Sequence, residues 1–147
     1  MKNTIFILLV SLIALTSCTK ENNDTNNGLV RVVFDPGHLK FISSSLNPKV
    51  KTMSALYGNE KALKSLSEEN QTPEAGVVMK LVTWKYHTNP QYIGGTITGE
   101  LVSIETVQAN HSGKVSYDIQ HNLIQNSSPD KEKRIQYFMS YRPVSRP

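Results

Sequence analysis

Thiol chemistry is almost absent from this chain of 147 residues, which holds one cysteine, Cys18. A lone thiol cannot close an intramolecular disulfide, so the fold has to stand on packing alone. Long apolar runs are scarce too. The one sizeable stretch is Ile5 to Leu15, interrupted by Ser11, and it falls short of the roughly 17–25 residues that span a bilayer. Aromatic residues make up 7%, with a single tryptophan. Concentrated positive charge is missing as well. The formal charge is +4, but the 16 basic residues are scattered and interleaved with acids, as in Asp130-Lys-Glu-Lys-Arg134. A nucleic-acid face needs clustered cations with stacking aromatics, so no nucleic-acid partner is expected. Familiar catalytic signatures are also lacking: there is no Gly-x-Ser-x-Gly, P-loop or His-Glu-x-x-His, and Gly94, Gly95 and Gly99 lack the dinucleotide spacing. Glu68-Glu69 reads as a solvated helix end, while Glu100, Glu105 and Asp118 read as carboxylates where strand faces meet water. No catalytic residue is assigned, and the chain is not expected to be an enzyme.

What is present starts at the N-terminus. Lys2, the apolar run and the small residues Thr16 and Ser17 form a secretory signal. Leu15-Thr-Ser-Cys18 resembles the lipobox of bacterial lipoproteins, in which the cysteine is acylated and becomes the first mature residue. The expected organisation is a cleaved signal at 1–17, a polar tether at 18–28 and a single domain at 29–147. The tether, Thr19 to Gly28, is too polar to bury a core. Each buried acyl CH₂ contributes roughly 0.8 kcal/mol to membrane attachment, so a soluble body can still belong to a membrane. Lys20-Glu21 is similar to the charged tags that direct some lipoproteins to the outer membrane. The expected location is therefore the bacterial cell envelope, at the outer membrane.

Strand signals dominate the folded part. Lys51 to Tyr57 reads as extended, closed by Gly58-Asn59. Glu60 to Leu66 places Ala62, Leu63 and Leu66 at helical spacing behind Asn59, a good N-cap. Val77 to Tyr86 is apolar on both faces, which predicts a central strand covered on two sides. Leu101 to Val107 is a further strand. Val115, Tyr117, Ile119, His121 and Leu123 alternate with polar residues, and Ile135, Tyr137, Met139 and Tyr141 repeat that alternation after a turn at 126–130. The last two segments are read as neighbouring antiparallel strands. The expected class is α+β, an antiparallel sheet of about five strands with one or two flanking helices.

None of the four histidines, His38, His87, His111 and His121, is paired at metal-ligand spacing. His38 and His111 sit beside glycines in loops. His87 closes the central strand, and His121 shares an apolar strand face with Tyr117.

Two stretches, "TMSALYGNEKALKSL" from Thr52 and "PEAGVVMKLVTWKYHTNPQYIGG" from Pro73, followed by "ELVSIETVQA", resemble the cytochrome P-460 and cytochrome c′-beta family. The resemblance covers Thr52 to Ala109. It implies an antiparallel sheet flanked by helices, often dimeric, with haem in a largely apolar pocket. On that basis Leu81, Tyr117 and Tyr137 are candidate pocket-lining residues, and His121 and His87 candidate haem ligands. The chain departs from the family where haem is attached: no cysteine lies beyond Cys18, so the Cys-x-x-Cys-His motif is missing. The position of the cross-linking lysine falls on Leu81, with Lys80 one residue away, and such an offset in a strand points to the opposite face. Covalent haem is not expected. Three functional expectations follow: a membrane-tethered module binding a small apolar ligand or a partner, a noncovalent haem protein, or a ligand-free structural envelope protein.

The address is testable by intact mass. Protein isolated from its native envelope should begin at Cys18 and carry the added mass of acyl chains; an unmodified sulfur there would refute it.

Overall fold

The computed structural model describes residues 33–120 and 130–144. Five strands, β1 (Lys40–Asn47), β2 (Thr52–Gly58), β3 (Val78–Thr88), β4 (Thr96–Ala109) and β5 (Val115–Gln120), form one antiparallel sheet in the order β1-β2-β3-β4-β5. Among the described residues two helices accompany it, α1 (Glu60–Ser67) and α2 (Lys131–Met139). The fold is mixed and strand-dominated.

β3 lies in the middle and is buried from both sides. Met79 and Leu81 point into the main core beneath the helices, with Ile42, Leu56, Val107 and Phe138. Val82 and Trp84 point the other way, into a smaller cluster with Ala55, Leu101 and Ile104. This is the two-faced strand that the sequence predicts. The second face is closed by Phe34 and Phe41, whose rings meet Tyr57 at centroid distances of 5.5 and 5.9 Å. Trp84 is only 5% exposed, and its indole N–H meets no acceptor among the described residues.

α1 forms where its residues require it. Asn59 accepts the Ala62 N–H at 3.0 Å through Oδ1, the N-cap bond expected from sequence. The same oxygen accepts from Val78 N at 3.3 Å, and Nδ2 donates to the Gly76 carbonyl at 2.8 Å. One side chain thus joins the start of α1 to the start of β3. Ala62 and Leu66 then face the core. The preceding residue must be glycine, because a Cβ at Gly58 would stand 2.7 Å from both Ala62 Cβ and Ile42 Cδ1.

Two expectations are corrected here. Residues 135–141 do not form a strand: α2 runs through Met139, and β5 pairs with β4 alone. Asp130 caps this helix by accepting from the Glu132 and Lys133 N–H groups at 3.1 and 3.4 Å. Lys131 to Arg134 are good helix formers, and Ile135, Phe138 and Met139 fall on one face at i, i+3 and i+4. The fifth strand is instead β1, whose serine-rich sequence and bulge between Phe41 and Ser43 conceal its period. His121 and Leu123 lie outside the described residues.

Asn59→Ala removes the cap and the bond to β3 together. It should cost about 2 kcal/mol, the upper end for cap loss, measured by urea unfolding. Asn59→Asp keeps the acceptor and should cost less.

Candidate functional site

Glu105 is the one acidic residue among the buried residues of the sheet, at 5% exposure. Its Cα partners are Leu81 on β3 and Ile119 on β5, and the side chain projects towards the helices beside Val107. A carboxylate in that position demands a charge partner and hydrogen bonds. Both are supplied. Arg134 on α2 donates from Nε to Oε2 at 2.7 Å and from Nη2 to Oε1 at 2.6 Å, a bidentate fork. Tyr117 on β5 donates its hydroxyl to Oε2 at 2.8 Å.

The polar contacts continue along α2. The Arg134 guanidinium lies 4.7 Å from the centroid of the Tyr137 ring, an i,i+3 stacking contact. Tyr137 meets Tyr141 edge to face at 5.3 Å, with their hydroxyl oxygens 3.1 Å apart. Tyr141 is 2.7 Å from Ser45 Oγ on β1. Beneath this chain runs a row of hydroxyl side chains across the sheet. Ser45, Ser54, Thr83 and Ser103 are successive cross-strand partners, and Ser54 and Thr83 are hydrogen-bonded at 2.8 Å.

Burial and the carboxylate set the acidities. The Tyr117 phenol is pushed up to about 12, mainly by burial and then by its bond to Glu105. The Tyr141 phenol is also raised, mainly by burial. Burial works against the Arg134 charge, yet the hydrogen bonds and charge of Glu105 more than compensate and raise its pKa. The cluster thus sets a guanidinium–carboxylate pair beside phenols that burial keeps protonated at Tyr117 and Tyr141. It can orient a polar group, and its carboxylate is already engaged by three donors.

The candidate pocket-lining residues meet here. Leu81 is fully buried opposite Glu105, Tyr117 holds the carboxylate and Tyr137 carries the guanidinium. Tyr137 arrives from a helix rather than a strand and is 39% exposed. His87 does not join them. It stands six residues along β3 from Leu81, about 20 Å at the usual rise, with Nε2 2.6 Å from where a Cβ on Gly99 would be. His38 and His111 occupy exposed turns, as expected. His121 and Cys18 lie outside the described residues.

The expectation for Glu105 is corrected: it faces the core, not water. Sequence carried a usable sign, since Glu105 is two residues from Val107 and so shares its strand face. Arg134 is harder to place from sequence because its segment also fits a strand period. Lys80 and Leu81 do point to opposite faces, with Lys80 paired to Tyr57 and Thr106 and Leu81 in the main core. Among the described residues no three potential metal ligands come together. The described residues bring no thiol and no imidazole to the Glu105 cluster. No family model matches the chain, and no curated protein matches it.

Arg134→Met strands a buried carboxylate and should destabilise the fold by about 3–5 kcal/mol, while Glu105→Met with Arg134→Met recovers a large part of the loss. A denaturation double-mutant cycle measures both. Tyr117 carries its own pH signature. Its raised folded pKa means that its contribution is complete below its unfolded value of about 10 and is lost as the pH rises towards about 12. Tyr117→Phe should flatten the fall in urea midpoint over that window.

Proposed function

We propose that this protein is an envelope lipoprotein, held through Cys18, whose α+β domain is cytochrome P-460-like but carries no covalent haem, and that the domain is a binding module rather than an enzyme. Its site is the face of the sheet beneath α2, where Leu81, Tyr117 and Tyr137 surround the Glu105–Arg134 pair. The observation that carries this reading is the row of cross-strand hydroxyls running from Ser45 to Ser103 beside that pair. Hydroxyls placed side by side on a sheet's inner face supply donors and acceptors that a purely packing surface has no use for. The ligand class is accordingly a small molecule with an apolar body and polar groups of its own. Outer-membrane localisation remains part of the proposal on the strength of Lys20-Glu21.

Native mass spectrometry of the protein from its own envelope tests the reading. A small additional mass should be released on denaturation and be lost in Thr83→Val with Ser103→Ala. Absence of any such mass from the unaltered protein would favour a structural role. Ferric haem added to the purified protein should give no stoichiometric Soret band; a tight band abolished by His121→Ala would replace this proposal with a noncovalent haem protein.

A further inference from the structure

We propose that the tip of the β3–β4 hairpin is a second membrane contact, with Ile93 and Tyr92 entering the interfacial zone of a bilayer that carries anionic headgroups and Lys49 and Lys51 lying over those headgroups. This rests on the membrane-tethered reading above.

Ile93 is fully exposed and Tyr92 is 69% exposed. They stand out from a loop that is built, not loose. Asn89 N donates to the Gly95 carbonyl at 2.8 Å, Gly95 N to the Tyr92 carbonyl at 3.0 Å and Gln91 N to Asn89 Oδ1 at 2.9 Å. Gly94 at φ +81° permits the turn, and a Cβ on Gly95 would press on Asn89 and Tyr92. Such a loop holds its apolar side chains outward, where water makes them costly.

The β1–β2 turn lies at the same end of the sheet because alternate turns of an antiparallel meander share an end, with Thr52 at the start of β2 paired to Lys85 near the end of β3. It presents Val50, 62% exposed, between Lys49 and Lys51, and is fastened to β3 by Tyr86 N donating to the Lys51 carbonyl at 3.0 Å. β2 pairs out to Lys85, whereas β3 and β4 pair out to Thr88 and Thr96. The hairpin thus leads the turn by three residues, about 10 Å. That offset suits an interface: amphipathic elements bury their apolar face roughly 5–10 Å into the headgroup–acyl boundary, tyrosine settles at headgroup level, and the lysines are left at the charged layer. Charge agrees. No Asp or Glu occurs in residues 36–59 or 86–99, and Glu100 is held by Lys85 at 2.9 Å. The tether permits the approach. From Cys18 to Val33 the chain can extend about 50 Å, against about 26 Å along β3 from the level of Tyr57, where Phe34 packs, to Thr88.

The test uses the complete mature chain from residue 18 with Cys18→Ser, which removes the acyl anchor, and Tyr92→Trp as reporter. Phosphatidylcholine vesicles with phosphatidylglycerol should blue-shift the new indole emission, and brominated acyl chains should quench it. Ile93→Asp should weaken vesicle cosedimentation about tenfold or more. Lys49→Glu with Lys51→Glu should weaken it too and flatten its salt dependence. An unshifted emission on these vesicles, or cosedimentation unchanged by Ile93→Asp, would overturn the proposal. The mass at Cys18 is read separately, so failure of the anchor and failure of the tip are distinct results.

Discussion

The geometry of this domain depends on one buried ion pair. Glu105 sits where a sheet normally offers only apolar side chains, and its charge is tolerable because Arg134 meets it with two parallel hydrogen bonds. Apolar contact alone lets a helix slide or rotate at small cost, since it is non-directional. A bidentate fork does not. Once Asp130 starts α2 and Arg134 locks to β4, the positions of Phe138 and Met139 in the core follow from helical geometry. The contacts onward through Tyr137 to Tyr141, two residues past the end of α2, reach Ser45 on β1, so the helix and the segment that follows it brace β4 and β1.

That bracing gives the two faces of the sheet different characters. Beneath the helices lie the main core, the ion pair and the hydroxyl row. The opposite face is a thinner layer around Val82 and Trp84, closed by the aromatic contacts of Tyr57 with Phe34 and Phe41. Because β3 contributes to both, a shift of one residue along it exchanges one environment for the other. Lys80 and Leu81 illustrate the consequence. A lysine displaced by a single position leaves the helix-side face altogether, and no side-chain rotation brings it back through the sheet.

Much of this architecture was legible because local and global requirements agree. Asn59 is both a good cap by type and a real one by geometry, and Ala62 and Leu66 keep the helical spacing that its start dictates. β5 shows its half-burial as a clean alternation from Val115 to Gln120. The segment from Ile135 to Tyr141 is harder because its apolar residues satisfy two periods at once. Ile135, Tyr137, Met139 and Tyr141 fit a period of two; Ile135, Phe138 and Met139 fit a helix. The deciding information lies upstream, in the cap at Asp130 and the strongly helix-forming residues 131–134. The same ambiguity hides Arg134, which meets Glu105 from a helix. β1 lacks a visible alternation for another reason: Phe41 and Ile42 take opposite faces, but the bulge between Phe41 and Ser43 then sets the buried Ser43 opposite Leu56 on the face of Ile42, and the run of serines carries no apolar period.

For the proposed binding module, the hydroxyl row bears on ligand chemistry through desolvation. Ser54 and Thr83 satisfy one another, as Ser45 and Tyr141 do, so the surface is already at low polar cost when nothing is bound. A purely apolar ligand laid over it would strip water from the remaining donor and acceptor capacity without replacing it, a loss of about 1–3 kcal/mol for each unsatisfied group. In the proposed binding role, ligands with no hydrogen-bonding groups would therefore be selected against, even though Leu81 and the core beside it favour an apolar body. A ligand that carries hydroxyl, carbonyl or amide groups on one edge meets both demands, resting its apolar part against the Leu81 side while its polar edge continues the pattern that runs from Ser45 to Ser103. Discrimination of that kind comes from the cost of leaving a fixed polar surface unmatched, and it requires the fixed surface that the Glu105–Arg134 pair provides by holding α2 in place.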